Sequence, residues 1–264
     1  MQSPLEYLSS IESKFKQFRK DIWIDPDLST ASPIFRYTSF ENLLSILNGD
    51  IYLPKRSSFT DRRERGEYQS DKILCMQTEN ILAPKRNEIT RRNNNAFKLS
   101  TSFPVSCWTL NRNESYLMWR AYTPNSLGVR LETTIENFID AFQINPGQKI
   151  YCSCIHYEEE KYPTAPIDIL FYKDMGYCME SEVRFYVVDD STTNDCEANG
   201  VYFLIHAQRL LKSVTLSPLI SPKSQNDLYK LIAGNYKWLN LNCSEIMEYQ
   251  NNVSPHKQRK HFLK

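Results

Sequence analysis

Residues 34–54 read "IFRYTSFENLLSILNGDIYLP", and three structural elements can be told apart inside them. Ile34 to Tyr37 predicts a short strand of apolar and aromatic residues. Thr38-Ser39-Phe40-Glu41 fits a capping box, Leu43, Leu44 and Leu47 supply the buried side of a helix, and Gly49 closes it. Ile51 to Leu53 predicts a second strand. The unit is strand, short helix, strand, with Arg36 and Tyr37 at a strand end beside a helix N-terminus.

Upstream, apolar residues at 5, 8, 11 and 15 behind Pro4 predict a helix over 4–20, followed by the proline-punctuated loop "IDPDLSTASP". Downstream, "KRSSFTDRRERGEYQSDK" is dense in charge and reads either as a solvated loop or as an anion-binding one, since Ser57, Ser58, Thr60 and Asp61 add hydrogen-bonding groups. Residues 71–96 look helical and end in the basic run "KRNEITRRNNN". From Lys98 the texture turns strand-like. Val105 to Leu110 predicts a strand, Ser115 to Ala121 a short helix, and Gly128 to Glu132 another strand. "KIYCSCIHYEEEKY" alternates like a strand; further strands are expected near 200–206 and 212–217, then the helix "SQNDLYKLIAGNY" and a charged C-terminal tail.

With 264 residues, 41% hydrophobic and 24% charged, the chain has the composition of an ordinary globular protein. We read it as a single domain over 1–264, because neither an internal repeat nor a long linker interrupts it. Its 32 basic and 31 acidic residues leave a formal charge of +1, so any polyanion must be met by a local patch. No apolar run approaches the roughly 18 residues of a membrane span, and no basic-then-apolar leader opens the chain; the expectation is a cytoplasmic protein with no membrane partner. Seven cysteines without framework spacing argue for buried reduced thiols, and Cys152-x-Cys154 has no second ligand pair for zinc. No metal is expected.

A second stretch raises the question of chemistry. "KDMGYCMESEVRFYVVDD", residues 173–190, opens a strand-like run with Glu180 and Glu182 two apart. On an extended strand that spacing puts both carboxylates on one face. Such a pair suits a site that needs negative charge or a general base. Glu180, Glu182 and Arg184 also fit an ion-pair ladder along one face, and both readings stay open.

The order "FRYTS", helix, "IYLPKRSSFTDRRE", "VSCWTLNRNESYLMWRAYTPNSLGVRLE", "KDMGYCMESEVRF", "LLKSVTLSPLISP" resembles the bacterial family of domains of unknown function numbered 2971, over roughly residues 34–235. Met118-Trp119 with Tyr122 and Gly128, and the Lys173, Glu180, Glu182, Arg184 series, are its most specific parts. Where that family has an Asn-Asp-Pro-x-Glu turn, Thr60-Asp61-Arg62-Arg63-Glu64 keeps only the two acids. The succession Arg36, Ser100-Thr101-Ser102, Glu180-Ser181-Glu182 is also similar to the pattern of mono-ADP-ribosyltransferases.

That second resemblance implies an α+β fold with a mixed, mainly antiparallel sheet flanked by helices, ADP-ribosyltransferase-like. It implies NAD as substrate and a protein or nucleic-acid acceptor, in a bacterial toxin or phage-defence effector. Cleaving the nicotinamide–ribose bond builds positive charge on the ribose, which a carboxylate stabilises. Glu182 is the candidate for that role, and Glu180 for orienting or deprotonating the acceptor. Arg36 would hold the pyrophosphate, with Tyr37, Thr38, Ser100 and Ser102 as further cofactor contacts, and Trp119 or Tyr122 would stack on nicotinamide. Asp61, Glu64 and Arg184 are assigned to substrate or loop contacts. Two rival classes remain: a magnesium nuclease using Asp61, Glu64, Glu180 and Glu182, and a non-catalytic sensor or interaction module in bacterial defence.

Overall fold

A computed structural model describes residues 12–59, 101–123, 127–158, 168–188 and 199–246. In chain order the first strands are β1 (Lys16–Arg19), β2 (Ile22–Ile24) and β3 (Pro33–Ser39), followed by helix α1 (Phe40–Leu47) and β4 (Asp50–Pro54). Then come β5 (Val105–Thr109), α2 (Tyr116–Tyr122), β6 (Gly128–Thr134), α3 (Ile135–Ala141), β7 (Lys149–Cys154), β8 (His156–Glu158) and β9 (Tyr172–Asp174). The chain continues through β10 (Glu182–Val188), β11 (Gly200–Leu204), α4 (Ala207–Leu210), β12 (Ser213–Leu216), α5 (Pro222–Asn235) and β13 (Asn240–Cys243). This is an α+β protein whose sheet pairings are mixed and mainly antiparallel, as the sequence predicts.

Contacts divide the chain into two compact units, each gathered from three stretches of sequence. The first comprises Met1–Ser32, Ile51–Leu110 and Gln143–Leu204, and the second Pro33–Asp50, Asn111–Phe142 and Ile205–Lys264.

In the first unit the strand order is β1-β2-β7-β10-β5, with β2 and β7 parallel and the other neighbours antiparallel. Its core gathers Trp23, Phe103, Val105, Tyr151, Tyr186 and Val188, with Trp23 stacked on Tyr151 at 5.3 Å. The short ribbons β4–β11 and β8–β9 complete this unit. The helix expected over 4–20 does not extend through its described part: Glu12–Lys14 is a 3₁₀ turn and Lys16–Arg19 a strand. Pairing of Lys16 with Ile24 and packing of Phe15 against Tyr151 and Phe171 outweigh the helical spacing of the apolar residues.

In the second unit the order is β3-β6-β12-β13, antiparallel except for β12–β13. The strand, helix, strand reading of 34–54 is reproduced, with two adjustments. Ser39 rather than Thr38 is the N-cap, its Oγ accepting from the Asn42 amide at 3.3 Å, while Thr38 Oγ1 accepts from the Asn42 side chain at 2.8 Å. The buried stripe of α1 is Leu43 and Ile46, three residues apart on one face, and Leu44 is exposed. Gly49 takes φ +100°, a left-handed value that ends α1 and admits the turn into β4 without a Cβ penalty. At Gly128 a Cβ would collide with the side chain of Thr123.

Candidate active site

Strand β10 lies between β5 and β7, and all seven of its residues are buried. The two-residue period sends Val183, Phe185 and Val187 to one face and Glu182, Arg184, Tyr186 and Val188 to the other. Tyr186 and Val188 join the apolar core. Glu182 and Arg184 thus occupy the polar end of a core-facing row, where a charge is tolerated only if paired and hydrogen-bonded.

Both are paired. Arg184 Nε donates to Glu182 Oε1 at 2.6 Å and Nη2 donates to Oε2 at 3.2 Å, a forked contact, while Nη1 reaches the Leu170 carbonyl at 3.3 Å. Lys173 on β9 donates to Glu182 Oε2 at 3.2 Å and to Glu180 Oε2 at 2.6 Å. Its ammonium also lies 4.5 Å from the centre of the Tyr177 ring. The Glu182 amide donates to the Tyr157 hydroxyl at 2.8 Å, which ties β8 to the head of β10. In the contacts described, two carboxylates meet two cations. Glu182 and Arg184 are sealed, with side-chain exposures of 4% and 1%; Glu180 keeps 14%.

Glu180 and Glu182 do not share a strand face. Met175–Glu180 forms a 3₁₀ turn, opened by Asp174 accepting from the Gly176 amide, and Ser181 follows in the left-handed conformation at φ 43°. Leu110 holds that corner by donating to the Ser181 carbonyl at 3.0 Å. The strand therefore begins at Glu182, and the residue that shares its face is Arg184. A non-glycine left-handed residue costs about 1–2 kcal/mol, and here it sets Glu180 off the strand.

Burial alone raises the pKa of Glu182. Arg184 and Lys173, with hydrogen bonds from Arg184 and Cys107, outweigh burial and bring it from 4.5 to about 2. The folded-state pKa is thus below the unfolded one, so the ionised carboxylate stabilises the fold fully above about pH 5, and this contribution is lost as pH falls through about 2. The melting temperature of the wild-type protein should exceed that of Glu182→Gln at pH 7, and the gap should narrow steadily below pH 4.5. A gap independent of pH would contradict the ion-pair account. Next to the carboxylate, burial pushes the Tyr157 hydroxyl up to about 12, so it stays protonated.

Sequence reasoning singled out further residues. Asp61, Glu64 and Ser100 lie outside the described residues, as does the helix expected over 71–96. Ser102 belongs to the first unit and sits in a turn before β5 rather than on a strand. Arg36, Tyr37, Thr38, Trp119 and Tyr122 belong to the second unit. Tyr37 and Trp119 are buried edge to face at 4.8 Å; the Tyr37 hydroxyl accepts from the Ser115 amide, and Trp119 Nε1 donates to Glu114. A fully buried Trp119 has no free face for nicotinamide, whereas Tyr122 is exposed. Arg36 is half-buried on β3. Among the described residues no three His, Cys, Asp or Glu side chains converge on a point that could hold a metal ion. Sequence reasoning missed Lys55 and Arg56, both fully buried although they open a charged stretch, and Tyr157. The apolar residues flanking them, Leu53 and Phe59, were the available signal.

No family model matches the chain, and no curated protein matches it. Among solved structures, DarT from Thermus sp. 2.9, in complex with ADP-ribosylated ssDNA, is similar at 9% identity with a TM-score of 0.33, over 84% of this chain and 97% of that one. A likeness of that size establishes neither a shared fold nor a shared activity.

Proposed function

We propose that this protein is an ADP-ribosyltransferase-like enzyme that uses NAD to modify a macromolecule, acting as a bacterial toxin or defence effector. The observation that carries the reading is the carboxylate pair bridged by Lys173: one member sealed and held ionised by its cations, the other the less buried of the two and set off the strand by the left-handed Ser181. The motif order resembling mono-ADP-ribosyltransferases adds to it. In this reading Glu180 is the catalytic carboxylate. It faces the ribose as the bond from C1′ to the nicotinamide nitrogen breaks, with the electron pair leaving on nicotinamide. An acceptor nucleophile then bonds to C1′, and its proton passes to Glu180.

Glu182 is a positioning residue. With both oxygens taken by Arg184 and Lys173 it has little capacity left for a developing cation, but it fixes Lys173, which in turn fixes Glu180. The pairing of both carboxylates with cations also matters: an uncompensated pair would repel the pyrophosphate of NAD.

Because a ligand that binds only the native state raises its stability, millimolar NAD is expected to raise the melting temperature by a few degrees and to be converted to free nicotinamide. A folded protein that shows neither effect, with protein and nucleic-acid acceptors both supplied, overturns the proposal. Magnesium-dependent, chelator-sensitive cleavage of nucleic acid would replace it with the nuclease reading.

A further inference from the structure

A cleft in the second unit is separate in sequence and chemistry from the carboxylate cluster. It has a volume of about 330 Å³ and lies where the end of α1, the start of α4 and the segment after α5 meet. Tyr236 and Trp238 form one side, with ring centres 6.4 Å apart and planes at 86°, and Trp238 is 38% exposed. Asn48, His206, Gln208 and Arg209 supply the polar lining. His206 stands at the N-cap of α4 without making a side-chain cap bond, and Arg209 forms no ion pair among the described residues. Gly49 lines the same cleft with bare backbone, and its φ of +100° keeps a side chain from that position.

From these groups we infer that the cleft binds a nucleotide unit, base and phosphate together. Two aromatic planes at right angles offer one face for stacking and one edge, which suits a flat heterocycle of any identity. The amides of Asn48 and Gln208 each present a donor and an acceptor, the complement of a base edge. The guanidinium of Arg209 matches a phosphate through its fork, and the imidazole of His206 adds a donor. A volume near 330 Å³ falls at the small end of ligand clefts, sized for one nucleotide rather than a dinucleotide. No large apolar area lines it, so an aliphatic ligand or a helix face would leave these polar groups unpaired.

The same chemistry is carried by a free mononucleotide and by one residue of a single strand. Calorimetric titration with the four nucleoside 5′-monophosphates, the matching nucleosides, and an unphosphorylated single-stranded tetranucleotide tells these sources apart. Saturable binding of monophosphates alone identifies a free nucleotide, and preference for the tetranucleotide identifies a strand. In either case Trp238→Ala should weaken binding about tenfold or more. Arg209→Ala should weaken the phosphate-bearing ligands and leave nucleosides unchanged. Both side chains are exposed, so these variants fold. Binding that neither substitution affects, or no binding of any of these probes, overturns the inference. Glu180→Gln should bind like wild type, so a failure of the transferase reading and a failure of this one are distinguishable.

Discussion

Arg184→Ala is expected to lower stability by about 3–5 kcal/mol, the cost of leaving a buried carboxylate with one of its two cations removed. For a chain of this size that corresponds to a fall in melting temperature on the order of ten degrees. The magnitude follows from burial: Glu182 and Arg184 are sealed from water, so solvent cannot replace the lost fork. Arg184→Lys keeps the charge but loses the second donor and the contact to Leu170, and should cost less. The double variant Glu182→Gln, Arg184→Met removes both charges from the core-facing row and should recover part of the loss. A melting curve of Arg184→Ala that overlies wild type would mean that the pair contributes nothing and that the site is more open than the structure shows.

Glu180→Gln is expected to reduce NAD turnover about a hundredfold, the scale of losing one electrostatic stabiliser, with a smaller stability loss than Arg184→Ala because Lys173 keeps Glu182 as a partner. Glutamine keeps the size and can still accept a hydrogen bond from Lys173. Glu182→Gln should behave differently, losing stability first, because both of its oxygens are committed inside the protein. On a shared strand face, relieving repulsion between the two carboxylates would have stabilised, but Glu180 lies off the strand and Glu182 is paired with Arg184. Nicotinamide release by the two variants, measured per folded molecule, separates the roles. Undiminished turnover in Glu180→Gln ends its catalytic assignment.

Much of this architecture can be read from residue order because local signals agree with tertiary ones. Around α1 the strand texture, the hydroxyl cap and Gly49 all point the same way, and the predicted elements form within a residue or two. β2 was not legible: Ile22-Trp23-Ile24 is three residues long, and its strand character comes from pairing with β7 rather than from any period of its own. α3 is a seven-residue helix that follows β6 directly with Thr134 as its cap, too short for a helical stripe to show. The site failed to read correctly at one residue. Ser181 carries no residue-type signal for a left-handed turn, so the Glu-x-Glu spacing looked like strand when it straddles a corner. Lys55 and Arg56 looked solvated because charge usually is; only the packing of the folded chain seals them.

The place of β10 in the first unit has a consequence for biosynthesis. It is the last of its five strands to leave the ribosome, yet it sits between β5 and β7 and joins them. Until it arrives, the hydrogen-bonding edge of β7 that it will cover, and the matching edge of β5, have no partner within this unit. The strand that closes the sheet also carries Glu182 and Arg184, so sheet closure and charge burial belong to one late, non-local event. Chains that stall or are truncated before Glu182 would present two bare edges and a β9 lysine without its sealed carboxylate, and the expected fate of such fragments is aggregation. Closure of the first unit's sheet therefore waits on its final central strand.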